Sequence, residues 1–419
     1  MKFVVAAFFL VFFQGCASVN YGAAKFDIIY VAHYHDSAEE FYHVGDYSQS
    51  ATLCDYALKT LLTADRNSMK SEELDYYDKL MDSICRLRLK AARKLYPQKK
   101  DSDFPLEFND RVEKWLVYYT GNGKVHFGKW LERSGNYVHM FKEILIANDM
   151  PEELACVPII ESGVYPFAVS KANAVGLWQF IKPTGKIFGL ERNHWYDERR
   201  DPVKSTKAAA KMLKELNDRF GDWYLALAAY NCGPNRVKRA IKKQGTKNFW
   251  DLYLPGETEN YVAKIIAAVM ISKDPLIFGF SDDTNNKIRY EIVDVYGPVD
   301  LKRAAKCAGC GQKDLIALNP ELSRQCTPPN MLPYPLKLPV GKSALFVKNF
   351  SRLSEKQKYL SKKEMRAREH RVVVYRVRRG DNLSTIARKY KVSVRKLKKW
   401  NRIARRHFIY PGQKLKIYR

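Results

Sequence analysis

The sequence is poor in three features that would assign it to a class at once. Its N-terminal apolar run, Phe3–Phe13, has eleven residues, which is too few for a helix that spans a bilayer. The pair Cys307 and Cys310 has no second cysteine pair and no histidine nearby, so a zinc site is disfavoured. Acidic residues are scarce in 361–419, where three of them face 21 Lys and Arg. That last shortage predicts an anionic partner.

The overall composition is that of a folded chain with more than one domain. Its 419 residues exceed one ordinary core, which predicts two or three domains. Apolar residues make up 46% and aromatic residues 13%, values that exclude a disordered chain. The net charge is +27, and two-thirds of it lies in residues 361–419. Nucleic acid, anionic lipid and an anionic cell-wall polymer are the partner classes that such a charge suits.

The N-terminus predicts export. A single Lys precedes the apolar run, and Gln14-Gly15-Cys16 follows it, as in a signal peptide. The pattern resembles a bacterial lipoprotein processing site, although Phe13 stands where Leu is usual. We expect a signal peptide at 1–15 and lipid attachment at Cys16, with plain cleavage as the alternative. Export disfavours nucleic acid as the partner and permits disulfides.

Patterning divides the rest of the chain into five regions and predicts a mainly α protein with small α+β modules. Two amphipathic stretches predict a helical hairpin near the N-terminus, and the last region alternates as strand–helix–helix–strand. The stretch 351–371 is either a charged helix or a disordered linker. The expected regions are a helical region with a linker (16–104), an all-helical domain (105–280), a small Cys- and Pro-containing module of unknown role (287–341), a charged linker or helix (342–371) and the final module (372–419).

The segment "CVPIIESGVYPF" places one carboxyl group, Glu161, at the end of an apolar helix. Burying an ionised carboxylate is costly, so apolar neighbours raise its pKa and let it hold a proton near neutral pH. We expect Pro158 to kink this helix one turn earlier. A catalytic acid and a solvated residue at the helix end are the two interpretations that the residues alone allow.

Three further motifs place polar or charged side chains next to turns. "NAVGLWQF" combines Gly176, where the backbone allows close approach, with Trp178 and Gln179, a sugar-stacking ring and an amide; an ordinary turn is the alternative. "AAYNCGP" places Tyr230 and Asn231 at a helix end, where a Tyr is more often a packing residue. "YDERRDP" is most simply a salt-bridged loop.

In their order, these motifs resemble those of lytic transglycosylases of the goose-lysozyme-like superfamily, most of all the membrane-bound lytic murein transglycosylase D type. The resemblance covers roughly 105–280 and implies a lysozyme-like helical domain that acts on peptidoglycan without a metal or cofactor. It implies Glu161 as the acid and base. The substrate-binding residues it implies are Ser162, Gly176, Leu177, Trp178, Gln179, Tyr230, Asn231, Glu257 and Tyr261.

The last region resembles a LysM domain, a module that binds sugar polymers, and this strengthens the case against nucleic acid. The glycan-binding residues that this resemblance implies are Gly380, Asp381, Asn382, Leu383, Asn401, Pro411 and Gly412. Departures from the two patterns are small: Trp178 stands where Met is common, and Cys232 where a small residue is usual. A bridge between Cys232 and Cys156 is one hypothesis for the thiols, and a bridge from Cys307 or Cys310 to Cys326 is another.

The motifs offer no obvious second carboxylate, although most glycosidases use two. A single acid suffices if the muramyl acetamido group assists and the sugar's own C6 hydroxyl closes a 1,6-anhydro ring. The alternatives are a goose-type lysozyme that uses water and a non-catalytic wall-binding protein. Ala17 carries no inner-membrane retention pattern, so we expect the anchor in the outer membrane.

Overall fold

The structure, a computed structural model, describes residues 23–95, 104–281, 287–369, 372–390, 392–403 and 408–418. The predicted signal peptide and Cys16 lie outside these stretches. The chain divides into two compact units, and each takes two segments of the sequence. The first unit is Met1–Tyr165 with Ala209–Lys287, and the second is Pro166–Ala208 with Ile288–Arg419.

The first unit begins with three helices that pack on one another: α1 (Ala23–His43), α2 (Tyr47–Thr63) and α3 (Ser71–Leu95). The predicted helical hairpin is wrong by one helix, because the chain breaks at Gly45 and Asp46. Gly45 has a φ of 85°, which glycine adopts without strain. The Asp46 carboxylate then accepts a hydrogen bond from the Gln49 amide and caps α2.

Helix α12 is the core of the rest of this unit. It is apolar on nearly all sides, and Tyr261 to Ile271 are buried with the exception of Lys264. It packs against α4, α7 and α10, as a fully buried helix must. In chain order, the helices from residue 110 to residue 273 are α4 (Asp110–Thr120), α5 (Lys124–Gly135), α6 (Val138–Ile146), α7 (Val157–Ser162), α8 (Lys182–Ile187), α9 (Pro202–Phe220), α10 (Trp223–Cys232), α11 (Pro234–Gln244) and α12 (Gly256–Lys273), of which α8 and the start of α9 belong to the second unit.

The second unit contains two modules with the same strand–helix–helix–strand order. The first consists of β1 (Tyr290–Val295), α13 (Leu301–Ala308), α14 (Gln312–Leu318) and β2 (Tyr334–Pro339), and three short helices follow it, α15 (Ser343–Ser351), α16 (Glu355–Lys358) and α17 (Lys362–Glu369). The second consists of β3 (Val372–Arg376), α18 (Leu383–Lys389), α19 (Val394–Trp400) and β4 (Lys414–Tyr418). In each, the two strands pair antiparallel, with Tyr290 opposite Pro339 in one and Val372 opposite Tyr418 in the other.

The expected fold class is confirmed. The chain is mainly helical, and the C-terminal module has its four elements where the alternation and the turn residues predicted them. The charged stretch after the first module forms helices. The module of unknown role repeats the plan of the C-terminal one, which was not predicted because only its first strand alternates clearly.

Candidate active site

Helix α7 carries Glu161 in its last turn. A 3-10 helix, Glu152–Cys156, precedes it, and Pro158 lies in the first turn of α7, where its missing N–H costs no hydrogen bond. The expected kink is therefore wrong: Pro158 starts a new helix. Gly163 ends the helix with a φ of 56°, and a Cβ there would lie 2.7 Å from the indole of Trp130. The turn after Glu161 is thus held tightly against α5.

The Glu161 carboxyl group is enclosed by protein and accepts a hydrogen bond from one phenol. Tyr261, from α12, donates its hydroxyl to Glu161 Oε1 at 2.5 Å. Burial raises the pKa of Glu161 from 4.5 to about 7; the Tyr261 hydrogen bond opposes this rise and the charge of Glu257 adds to it. A carboxyl group with this pKa can donate a proton and take one back near neutral pH.

A second phenol, that of Tyr230, comes from the last turns of α10. Burial raises the pKa of both Tyr230 and Tyr261 well above the ordinary value, and the charge of Glu161 raises both further. Both hydroxyls therefore stay protonated at all working pH values and can donate to a carboxylate or a developing oxyanion. The structure brings Glu161, Tyr230 and Tyr261 together from three helices, as the resemblance implied.

The neighbouring residues have mixed roles. Thr258 donates to the Asn231 side-chain oxygen at 2.8 Å, which ties the end of α10 to α12. Glu257, one turn before Tyr261 on α12, is exposed, and its charge reaches Glu161. Ser162 Oγ donates to Pro158 O at 3.2 Å, within its own helix. Contacts of these side chains with substrate remain predictions.

The Gly176–Gln179 turn belongs to the second unit. Gly176 has a φ of 87°, and a Cβ there would lie 1.9 Å from the Arg199 carbonyl oxygen, so only glycine fits. The Gln179 amide donates to Gly176 O at 2.8 Å and closes the turn. Leu177 and Trp178 are fully buried, and the Trp178 indole donates to Thr206 at 2.9 Å. The interpretation of Trp178 as a sugar-stacking ring is therefore wrong, because its ring has no exposed face.

The "YDERRDP" loop is salt-bridged, as predicted, and also has a supporting role that the sequence analysis missed. Arg199 pairs with Asp197 at 2.8 Å and donates to the Phe180 carbonyl at 2.9 Å. Both charged side chains are buried. No local pattern indicated this role, because Phe180 lies 19 positions before Arg199.

In the C-terminal module, the polar residues implied to bind glycan also hold the fold. Asp381 accepts from the Tyr375 hydroxyl at 2.7 Å, and Asn382 caps α18 by accepting from the Thr385 amide at 2.8 Å. The Asn401 amide donates to Lys416 O at 2.8 Å. Gly380 and Gly412 turn with φ of 88°, Pro411 precedes the second turn, and Leu383 packs against the module's core. Exposed aromatic rings in this module, Phe408 and Tyr410, were not among the predicted residues.

The seven cysteines of the described residues are all free thiols. Both disulfide hypotheses are therefore wrong in this structure. Cys326 packs with Trp195, Tyr196 and Leu360, whereas Cys307 and Cys310 pack in the separate core of the first module. Cys156 and Cys232 are likewise not joined.

Two searches of the described stretches gave negative results. None of the helices in the described part of the chain is both long and apolar enough to cross a membrane. Within the same residues, no group of three or more His, Cys, Asp or Glu side chains could hold a metal ion.

Three family models match this sequence. The transglycosylase SLT domain matches residues 139–253 and the LysM domain matches 375–417. The LysM-like domain of lytic transglycosylase MltD matches 289–355, the module whose role the sequence did not indicate.

Known relatives agree with these matches. The membrane-bound lytic murein transglycosylase D of Escherichia coli K12 is 34% identical over 327 residues, which are 74% of this chain and 69% of that protein. The peptidoglycan transglycosylase gp16 of Escherichia phage T7 is 36% identical over 105 residues, 24% of this chain and 8% of that protein. Among solved structures, the 70 kDa soluble lytic transglycosylase SLT70 of Escherichia coli matches with 15% sequence identity. The match covers 62% of this chain and 47% of that chain. Its TM-score of 0.29 is too low to establish a shared fold.

Proposed function

Because the chain belongs to the family of membrane-bound lytic murein transglycosylase D, we propose that it cleaves the β-1,4 bond between N-acetylmuramic acid and N-acetylglucosamine and releases 1,6-anhydromuramyl products. It is a lytic transglycosylase with LysM domains. The observation that carries the proposed chemistry is the enclosed carboxyl group of Glu161, whose pKa is raised to about 7 beside two phenols.

In the first step, protonated Glu161 donates its proton to the glycosidic oxygen as the bond to the muramyl anomeric carbon breaks. The 2-acetamido carbonyl of the same sugar stabilises the positive charge on that carbon. The Tyr261 hydrogen bond stabilises the carboxylate that Glu161 becomes, since the phenol stays protonated and donates to an oxygen that can then only accept.

In the second step, the Glu161 carboxylate takes the proton of the C6 hydroxyl, whose oxygen bonds to the anomeric carbon. Glu161 is protonated again, and no water enters the product. The intramolecular hydroxyl has a high effective concentration, which favours ring closure over hydrolysis. The charge of Glu161 acts on the Tyr230 hydroxyl, and we assign that hydroxyl the role of donating to the C6 oxygen as it loses its proton.

Hydrolysis is the second candidate, and one observation favours it. Glu257 is a second carboxylate whose charge reaches Glu161, so it is a candidate base for water. The mass of the released fragments separates the two reactions, because anhydro products are one water lighter than hydrolytic products. The Glu161→Gln variant tests the catalytic assignment itself, and we expect it to lose fragment release. If it released fragments at the wild-type rate, only a wall-binding role would be left.

We propose the other substrate-binding residues from the resemblance and from the helices on which they lie. Ser162, Asn231 and Glu257 lie on the helices that carry the three central residues, and the resemblance alone supports the assignment of Gly176, Leu177, Trp178 and Gln179. In the LysM domain, the two glycine turns carry the proposed glycan contacts. Binding of purified sacculi by the Gly412→Val variant tests the second site.

A cell-envelope location agrees with the membrane-bound relative. We propose further that Cys16 carries a lipid that anchors the protein in the outer membrane, facing the periplasm. The support is the sequence pattern around Cys16. Fractionation of cells that carry Cys16→Ser tests this: we expect the protein to move from the membrane to the soluble fraction.

A further inference from the structure

The first module of the second unit holds a buried charge cluster on its strand β2. Lys337 Nζ lies 2.7 Å from Asp201 Oδ2 and 3.3 Å from Glu321 Oε1. The Tyr334 hydroxyl donates to the same Glu321 oxygen at 2.7 Å. The three charged side chains are between 7% and 12% exposed, so solvent does little to screen them. Asp201 belongs to the segment that matches the transglycosylase domain, so the cluster joins the module to that segment.

Backbone hydrogen bonds also join the first module to residues 193–201. The Asp197 amide donates to Glu321 O, and the Ser323 amide donates to Trp195 O, both at 2.9 Å. Arg324 Nε donates to His194 Nε2 at 3.0 Å. The loop between α14 and β2 is thereby paired with residues 193–201 much as two strands pair, and a segment held this way has few other conformations available.

Residues 193–201 support, in turn, the Gly176–Gln179 turn. The Arg199 carbonyl occupies the space where any side chain on Gly176 would lie. The Arg199 guanidinium, fixed by Asp197, donates to the carbonyl of Phe180, next to the turn. A displacement of the segment would therefore displace the turn.

The corresponding loop of the C-terminal LysM domain is different. Between α19 and β4 it exposes two aromatic rings, Phe408 at 79% and Tyr410 at 67%. Exposed rings can stack on sugar faces. In the first module, the loop at this position pairs with residues 193–201 and contains no aromatic residue, and its exposed large apolar side chain is Leu332 at 53%.

We propose that Lys337 and Glu321 are positioning residues, and that the first module braces residues 193–201, and through them the Gly176–Gln179 turn, instead of binding glycan as a second LysM domain does. The inference rests on the proposed function, in which that turn contacts the glycan. The structural part of the proposal, that the first module holds residues 193–201 and the Gly176–Gln179 turn in place, does not depend on catalysis.

The direct test is hydrogen exchange of the full chain, measured peptide by peptide. Lys337→Met leaves two buried carboxylates without their cation, so we expect faster exchange over 173–181 and 193–201, with exchange over 223–232 unchanged. Lys313→Met, an exposed lysine of the same module, is the matched control and should leave exchange in all three segments unchanged. Unchanged exchange over 173–181 in Lys337→Met would overturn the proposal.

Activity on two substrates tests the functional half. On a short soluble peptidoglycan tetrasaccharide, kcat/KM of Lys337→Met should fall about tenfold or more, because the turn that positions the sugar has moved. Wild-type kcat/KM on the tetrasaccharide, with a loss confined to insoluble sacculi, would instead indicate a glycan-binding module and contradict the proposal.

Separate controls distinguish a variant that does not fold from a failure of the proposed function. If Lys337→Met does not fold, Lys337→Arg and Tyr334→Phe carry the same comparison: the first should retain wild-type exchange over 173–181, and the second, which removes one hydrogen bond from Glu321, should raise it. Failure of the proposed function would appear as unchanged fragment release by Glu161→Gln, whereas the exchange result stands on its own.

Discussion

Two glutamates, one in each unit, accept a hydrogen bond from a tyrosine but differ in their surroundings, since Glu321 is buried beside a lysine and Glu161 is partly exposed. Tyr261 donates to Glu161 at 2.5 Å, and Tyr334 donates to Glu321 at 2.7 Å. Burial raises the pKa of both carboxyl groups. The charge of Lys337 opposes the rise at Glu321, whereas the Tyr261 hydrogen bond is what opposes it at Glu161. A second carboxylate adds to the rise in both cases, Asp201 at Glu321 and Glu257 at Glu161.

The different surroundings suit different roles: the carboxyl group of Glu161 must exchange protons, whereas that of Glu321 must stabilise the fold. A buried ion pair gains Coulomb energy only if it stays charged, so its members should not titrate near neutral pH. A catalytic acid needs a pKa close to the working pH and therefore no cation beside it.

The largest effect is expected for Glu161→Gln. The variant loses the carboxyl group that the proposed mechanism uses as both acid and base, and its rate on sacculi should fall by about three orders of magnitude. Fragment release measured by chromatography checks this, and Glu152→Gln, one turn ahead of α7, is the matched control. Wild-type activity in Glu161→Gln would remove the chemistry from this carboxyl group.

The same variant should make stability less sensitive to pH. The pKa of Glu161 is raised from 4.5 to about 7 in the folded state, so its stabilising contribution is complete below about pH 4.5 and is lost as pH rises through about 7. Relative to Glu161→Gln, the wild type should thus lose about 3 kcal/mol over that window. Urea unfolding at a series of pH values measures the difference; a constant difference would contradict the raised pKa.

Lys337→Met should damage stability instead of proton transfer. Removing the cation leaves Asp201 and Glu321 buried and uncompensated, at a cost of about 3 kcal/mol. Urea unfolding of the variant and of Lys313→Met gives the comparison. Equal stabilities would show that the cluster is not held as described.

Tyr261→Phe should lower activity by about tenfold, since the carboxylate loses a hydrogen bond to a charged acceptor. Without that bond the pKa of Glu161 should rise, so the fall of kcat/KM at high pH should move to higher pH. The wild-type profile should fall above about pH 7. The exposed Tyr253→Phe serves as the control, and an unmoved profile would exclude Tyr261 as the donor that matters.

The smallest effect is expected for Glu257→Gln. Its charge is the weakest of the three influences on Glu161, so the pKa of Glu161 should fall by less than about one unit. Activity should change only a few-fold, with exposed Glu132→Gln as the reference. A loss as large as that of Glu161→Gln would make Glu257 the base for water and favour hydrolysis.

Much of the site could be predicted from the chain because its residues lie in short, ordered motifs. An apolar run before Glu161 and a Tyr-Asn pair before Gly233 are local patterns, and the structure brings Glu161 and Tyr230 together as expected. The LysM elements were predictable for the same reason, since their turns and caps are encoded by adjacent residues such as Asn382.

What the sequence did not reveal depends on contacts between distant segments. The burial of Trp178 follows from Thr206, which lies 28 positions later. The cluster of Lys337 with Asp201 spans 136 positions, and neither residue stands out in its own segment. Likewise, Cys326 is separated from the other two cysteines of its module by the packing of Trp195 and Tyr196, which the spacing of cysteines does not indicate.

Digestion of purified sacculi in water enriched in oxygen-18, followed by mass spectrometry of the fragments, tests the central account most directly. If Glu161 alone moves both protons and the C6 hydroxyl closes the ring, the muramyl products will be one water lighter than hydrolytic products and will carry no heavy oxygen. Products of hydrolytic mass with one heavy oxygen at the anomeric carbon would contradict it.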